Sequence, residues 1–291
     1  MKVRLGRISY TNVLPVYWGF RDGNIPPFLD ITAAPPRTLN RMMANSMLDI
    51  SPVSSISYAR NCNDWLIVPG LSISAGGPVM SVLLLSRMPL DKLSDEKIIL
   101  SEESEASVEL LKLCFQNRNV FPRFQQGRIT SETLHDPGIA GTLVIGDQAL
   151  RLSMKKHDLH ITDLGSCWME WTGKPFVFGL WAVRKQFAAK DPALVSHAIE
   201  ALRTSLAEGL ASLSAISAQA SEELGIARET METYFRGLSY ALDEEHAQGL
   251  QLFFRYSRKR GFLKEPVSLS YFQDEKNTNN RVSKGKEGDS A

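Results

Sequence analysis

The sequence has no long apolar run, few cysteines and almost no net charge, and each of these absences removes a class of function. No stretch reaches the ~20 apolar residues of a membrane helix, and the opening Met1-Lys-Val-Arg-Leu-Gly-Arg-Ile lacks the apolar core of a signal peptide. The expected setting is the cytoplasm, with no membrane partner. Cys62, Cys114 and Cys167 are odd in number, widely spaced and without a C-x-x-C, which argues against a disulfide framework or a zinc site. Their plain role is small apolar filler. A formal net charge of +1 supplies no basic field, so no nucleic-acid partner is expected. No G-x-S-x-G, P-loop, H-E-x-x-H or G-x-G-x-x-G stands at a strand-to-helix junction. Triad hydrolysis, nucleotide hydrolysis and dinucleotide redox therefore all lose ground. His135, His157, His160, His197 and His246 show no metal-ligand spacing and read as surface or packing residues, so neither a metal nor a cofactor is expected.

What is present is a globular chain of 291 residues, 43% apolar and 22% charged, long enough for two lobes of roughly 100 to 150 residues with a cleft between them. Val3 to Ser9 reads as a strand. A helix follows, capped by Thr11 or Asn12 and with Pro15 in its first turn. Asp30 to Ala34 and Trp65 to Pro69 read as further strands, and Leu39, Met42 and Met43 give a short amphipathic helix between them. This β-α-β rhythm implies a largely parallel sheet. The pattern repeats over Ile98 to Leu100, Val108 to Phe115, Thr142 to Ile145 and His160 to Leu164. Two apolar runs, Val79 to Leu85 and Phe176 to Val183, stand about a hundred residues apart and read as strands crossing between lobes. The second follows a polar turn at Thr172, Gly173 and Pro175. The expected lobes are 1–84 with 184–273, and 85–183. From Ala189 to about Tyr256 helical spacing dominates, with packing back on the first lobe. The segment 274–291 is polar throughout and reads as a disordered tail.

Three loops share one chemical design: Asn12 in the first, Ser54 and Ser55 in the second, Ser104 and Ser107 in the third. Each puts small hydrogen-bonding side chains where a strand gives way to a helix, at the sheet edge that lines the crevice in open α/β folds. Free backbone N–H groups there suit a carboxylate or phosphate. Each loop taken singly also reads as an ordinary helix cap; together they favour an anionic small ligand. Gly146-Asp147 offers a carboxylate at a strand end, either a general base or the cap of the next helix. Trp168 and Trp171 read as core residues or as an aromatic cleft wall.

Several motifs carry a family resemblance. Ile8-Ser-Tyr-Thr-Asn12-Val-Leu-Pro15, Pro52-Val-Ser54-Ser55-Ile-Ser-Tyr58-Ala59, Gly77-Pro-Val-Met-Ser81-Val82, Ser104-x-Ala-Ser107-Val108, Ile145-Gly146-Asp147-x-Ala149-Leu150 and Asp163-Leu-Gly-x-x-Trp168-x-x-x-Thr172-Gly173-x-Pro175-Phe176 together resemble the chorismate dehydratases of the futalosine route to menaquinone. The resemblance runs in order from the N-terminus to about Phe262. It implies a two-lobed type II periplasmic-binding-protein-like α/β fold and an enzyme that removes water from chorismate, with no cofactor and a small-molecule substrate. It also implies Asn12, Ser81 and Asp147 as catalytic candidates, and Ser54, Ser55, Ser104, Ala106, Ser107, Gly146 and Thr172 as substrate-binding candidates. Two positions depart from the family pattern, which puts threonine at Ala106 and often an acidic residue at Ser57. A sister family making 1,4-dihydroxy-6-naphthoate is similar at Asp163-Leu-Gly and Thr172-Gly173 but carries histidine where this chain has Gly146. A binding protein or cytoplasmic sensor of the same fold is the alternative from another class.

Overall fold

The structure, a computed structural model, describes residues 2–155 and 158–273. The tail over 274–291 and His157 lie outside the described residues. The first lobe opens with β1 (Val3–Ile8), α1 (Leu14–Tyr17), β2 (Leu29–Ala34), α2 (Pro36–Ala44), β3 (Ile50–Ser54), α3 (Ser55–Arg60) and β4 (Trp65–Ala75). The second comprises β5 (Val82–Ser86), β6 (Lys97–Ser101), α4 (Glu105–Asn117), β7 (Arg123–Gly127), α5 (Ser131–His135), β8 (Gly141–Ile145), α6 (Gly146–Ser153), β9 (His160–Asp163) and α7 (Leu164–Thr172). The chain then returns through β10 (Phe176–Arg184) and continues as α8 (Lys185–Lys190), α9 (Pro192–Ala211), α10 (Leu213–Leu224), α11 (Arg228–Gly237) and α12 (Glu244–Lys259).

The two sheets have matching strand orders, β2-β1-β3-β10-β4 and β7-β6-β8-β5-β9. In each, three strands run parallel and the fourth is antiparallel to both of its neighbours. The sheets are therefore mixed, where the β-α-β rhythm alone implied a largely parallel arrangement. The antiparallel strand is in each case the one the chain enters on arriving from the other lobe: β5 after residues 76–81, β10 after residues 173–175. Both apolar runs are thus inner strands of a sheet that begin just beyond a crossover, and this explains why all five residues of β5 are buried. The boundary consequently falls before Val82 and before Phe176, so that 82–86 joins the second sheet and 176–184 the first. The expected divisions at 84/85 and 183/184 fall inside these two strands.

Local chemistry sets the ends of the elements that matter for the site. Ser54 accepts from the Ser57 amide and Ser104 from the Ser107 amide, so both cap their helices as expected. Leu164–Thr172 is helical, a stretch for which the sequence reading gave no element before the polar turn at Thr172, Gly173 and Pro175. Its ends carry ordinary signals: the Asp163 side chain accepts from the Ser166 amide, and Gly173 terminates it at φ +66. Trp168 is fully buried, edge-on to Phe176, Phe253 and Trp171, and is a core residue rather than a cleft wall.

The first sheet is locked by a carboxylate. Asp49, just before β3, accepts from Arg4 of β1 at 2.7 Å and from Arg184 at the end of β10 at 2.6 Å. Burial pushes this carboxyl up, but the bonds from Arg4 and Arg184 outweigh it and hold the group below its ordinary range. The helical C-terminal part packs on the first lobe: α9 lies against α1, and α12 against β10 and α3, with a further contact to α4 of the second lobe. Before α12 the chain pairs with β4, the Ser74 and Ser239 amides donating to each other's carbonyls and the Ser72 amide to Tyr240. β4 runs to Ala75, well beyond the expected end at Pro69, because its second half also pairs with β10.

Candidate active site

The starts of α1, α3, α4 and α6 converge on a cleft between the sheets. Its polar lining is Tyr10, Asn12, Ser54, Ser81, Ser104 and Ser107; the remainder is apolar side chains, proline and glycine, including Ile73, Val79, Phe178, Gly146 and Gly179. No Asp, Glu, Lys, Arg or His lines it. Tyr10 carries the one titratable side chain in the lining. Burial, then its 2.5 Å hydrogen bond to Glu103, pushes this phenol far above its ordinary range, so it stays neutral and donates. An anion entering this space meets hydroxyls, an amide and backbone N–H groups instead of a countercharge.

Asn12 is the least satisfied of these groups. It follows Thr11 in a short 3-10 turn and caps nothing, contrary to the expectation for this loop. Its backbone carbonyl accepts from the Tyr240 hydroxyl at 3.0 Å, but its side-chain Oδ1 is buried with no partner. A buried acceptor left unpaired costs about 1 to 3 kcal/mol, so a bound donor there recovers a standing penalty. Ser54 is otherwise engaged, its hydroxyl accepting from Asn40 Nδ2 at 3.1 Å as well as from the Ser57 amide. Ser104 donates to the Ser107 hydroxyl at 2.8 Å.

Ser81 sits in the first crossover, at a tight turn of the backbone. Its amide donates to the Val79 carbonyl, two residues back, at 2.7 Å, and the intervening Met80 has φ +60. An i to i+2 bond about a residue of positive φ marks the rare, strained γ-turn. Such a conformation in a non-glycine residue costs on the order of 1 to 3 kcal/mol. Behind Ser81 stands Tyr234 of α11, whose phenol burial drives far above its ordinary value, with the Ser81 hydroxyl acting in the opposite sense.

Other expected site residues fall outside the lining. The Asp147 carboxylate accepts from the Thr11 amide at 3.1 Å and the Thr11 hydroxyl at 2.7 Å. It bridges the two lobes, one residue away from Asn12, and does not cap α6. Ser55 is fully buried beneath the cleft with its hydroxyl unpaired, and Ala106 is buried in the first turn of α4. Thr172 donates to the Trp168 carbonyl at 2.8 Å at the end of α7, away from the cleft. Gly146 does line it, at φ +61, and a Cβ there would meet the Tyr10 ring at 2.9 Å. Only glycine lets Tyr10 lie flat against this backbone. Tyr10, Glu103, Tyr234 and Tyr240 were not singled out from the sequence; no local pattern marks a tyrosine whose partner is 93 or 228 residues away. Among the described residues no group of three or more His, Cys, Asp or Glu side chains is placed to hold a metal, and no helix is long and apolar enough to cross a membrane.

A chorismate dehydratase of Thermus thermophilus is 29% identical over 271 residues, covering 86% of this chain and 93% of that protein. One of Campylobacter jejuni is 28% identical over 197 residues, covering 64% and 73%. Among solved structures, a protein of Archaeoglobus fulgidus superposes with TM-score 0.75 at 17% identity, covering 90% of this chain and 98% of its own. The periplasmic aliphatic sulphonate binding protein of Escherichia coli does so with TM-score 0.64 at 11% identity, covering 92% and 90%. The fold is thus that of the periplasmic binding proteins. With residues 3–259 matching the family described as menaquinone biosynthesis, this chain belongs to that family.

Proposed function

We propose that this protein is a chorismate dehydratase, a hydro-lyase that converts chorismate to 3-[(1-carboxyvinyl)oxy]benzoate and water. The observation that carries the reading is the neutral, hydroxyl-rich cleft with its orphaned Asn12 amide oxygen, in a chain whose curated relatives bear that activity. Chorismate presents two carboxylates and a ring hydroxyl. The start of α4 offers backbone N–H groups and the Ser107 hydroxyl, which accepts from Ser104, to a carboxylate. Asn12 and Ser81, from the two sides of the cleft, orient the ring hydroxyl and the enolpyruvyl group.

In the reaction the C3–H electron pair becomes ring π density as the C4–O bond breaks, and hydroxide leaves with a proton as water. Aromatisation drives the step, so the protein has chiefly to position groups and pass one proton. No side chain lining the cleft is a base at neutral pH. A substrate carboxylate therefore takes the C3 proton, and Asp147 is the rival acceptor. Its engagement with Thr11 favours the substrate-assisted route.

Incubating the protein with chorismate and following the aromatic product by absorbance and mass spectrometry tests the activity itself. Chorismate bound and released unchanged would make the chain a binder. Asp147→Asn then separates the two acceptors, since the amide oxygen can still accept from Thr11 but is not a base. The substrate-assisted route predicts a loss of less than about tenfold in kcat. Collapse of turnover with chorismate binding intact would assign the proton to Asp147.

A further inference from the structure

We propose that Asp163 is a positioning residue that sets the reactive rotamer of Ser81 by clamping the strained crossover turn; this rests on the chorismate dehydratase reading of the cleft. Asp163 ends β9 and precedes α7, and both of its oxygens point at the crossover. Oδ1 accepts from the Val79 amide at 3.1 Å and the Ser166 amide at 3.0 Å, while Oδ2 accepts from Val79 at 3.0 Å and Met80 at 2.7 Å. The Val79 carbonyl, on the far side of the same residue, accepts from the Ser81 amide at 2.7 Å and the Ser81 hydroxyl at 3.3 Å. An unbroken chain thus runs from carboxylate to Val79 to the hydroxyl that faces the cleft.

The turn needs such a clamp because Met80 is held at φ +60, a conformation a methionine leaves unless its surroundings fix it. Hydrogen bonds from amides to a carboxylate are the stronger kind, and two consecutive N–H groups are satisfied at once. The third residue of Asp163-Leu-Gly follows from the same contact: a Cβ at Gly165 would meet the Gly77 carbonyl oxygen at 2.4 Å, so only glycine lets α7 start directly on the crossover. Leu164 between them is fully buried and anchors the clamp in the core. Asp163 does not line the cleft, so it acts through Ser81 rather than on substrate.

Asp163→Asn is the direct test, because an amide has one acceptor oxygen and must turn its NH₂ toward either the crossover amides or that of Ser166. Amide exchange measured by NMR reads the clamp without reference to activity: the Val79 and Met80 amides should exchange at least about tenfold faster while those of β5 and β8 are unchanged. Kinetics of the wild type, Asp163→Asn, Ser81→Ala and the double variant read the positioning. The single change should lower kcat about tenfold with KM within about threefold, yet cost less than about twofold once Ser81 is alanine. Unaltered exchange at Val79 and Met80 would overturn the clamp, and a full additive loss in the double variant would overturn the link to Ser81. A wild-type protein that leaves chorismate unchanged would instead sink the functional reading, with the exchange result still deciding the clamp. If Asp163→Asn does not fold, Gly165→Ala pushes the intact carboxylate away from the crossover and must give the same two signatures.

Discussion

After β1 the chain places Thr11 and Asn12 and caps nothing with either, whereas after β6, the strand in the same place of the other sheet, Ser104 caps α4 and bonds Ser107. The same contrast runs through the second pair of loops. After β3, Ser54 caps α3, while after β8 a glycine with positive φ opens α6 and Asp147 reaches across the cleft to Thr11. A side chain that satisfies its own helix has its orientation fixed by local structure. One that does not is left to act at a distance, either on the opposite lobe or, with an unpaired buried oxygen, on whatever enters. The sheets differ as well. In the first, one carboxylate is bound by two arginines; in the second, among the described residues, no carboxylate is.

The largest effect expected from these differences is on stability. Asp49→Ala leaves Arg184 and Arg4 without their carboxylate and should destabilise by about 3 kcal/mol, the low end for buried pairs because Arg4 is half-exposed. The folded carboxyl lies below its unfolded value of about 4, so its contribution is complete above that pH and fades as pH falls through the folded value. The gap in Tm between wild type and variant should therefore be wider at pH 7 than at pH 3; an equal gap at both would show that the ion pairs are not what holds the first sheet. Next, Asn12→Ala should lower kcat by roughly 10²-fold, as for the loss of one transition-state hydrogen bond. Its melting temperature should not fall, because the side chain caps no helix and its buried oxygen has no partner to lose. Normal turnover would remove Asn12 from the site and with it the contrast between the β1 and β6 loops. The smallest change is expected for Ser104→Ala, where a lost cap costs about 1 kcal/mol, or roughly 1 to 2 °C in Tm for a chain of this size. A Tm unchanged by calorimetry would mean that Ser104, like Asn12, is not spent on its helix.

Much of the fold was legible because its signals are local. β1, β2, β6 and β8 stand within a residue or two of where apolar alternation put them, and the Ser54 and Ser104 caps follow from residue type beside an apolar run. The helix over Leu164–Thr172 was not read from the sequence, although Asp163 before it and Gly173 after it are ordinary end signals. β4 reaches Ala75 because Ser72 to Ala75 pair with β10 over Phe176 to Leu180, partners some 100 residues away. The site was legible in part: Asn12, Ser54, Ser81, Ser104, Ser107 and Gly146 meet at the cleft, while Thr172, Ala106, Ser55 and Asp147 do not line it. Strand-end position brings a residue near a crevice, but whether its side chain faces that crevice depends on the partner it finds.

By itself the sequence determined two α/β lobes, a neutral overall charge without metal-ligand spacing, and small polar residues at the strand ends, since these rest on residue type and short-range periodicity. Only the tertiary structure decided which strands share a sheet, that Thr11 is bound by Asp147, and that Asn12 keeps an unpaired oxygen in the cleft. Those outcomes depend on groups far apart in the chain that pair or fail to pair only once the lobes meet.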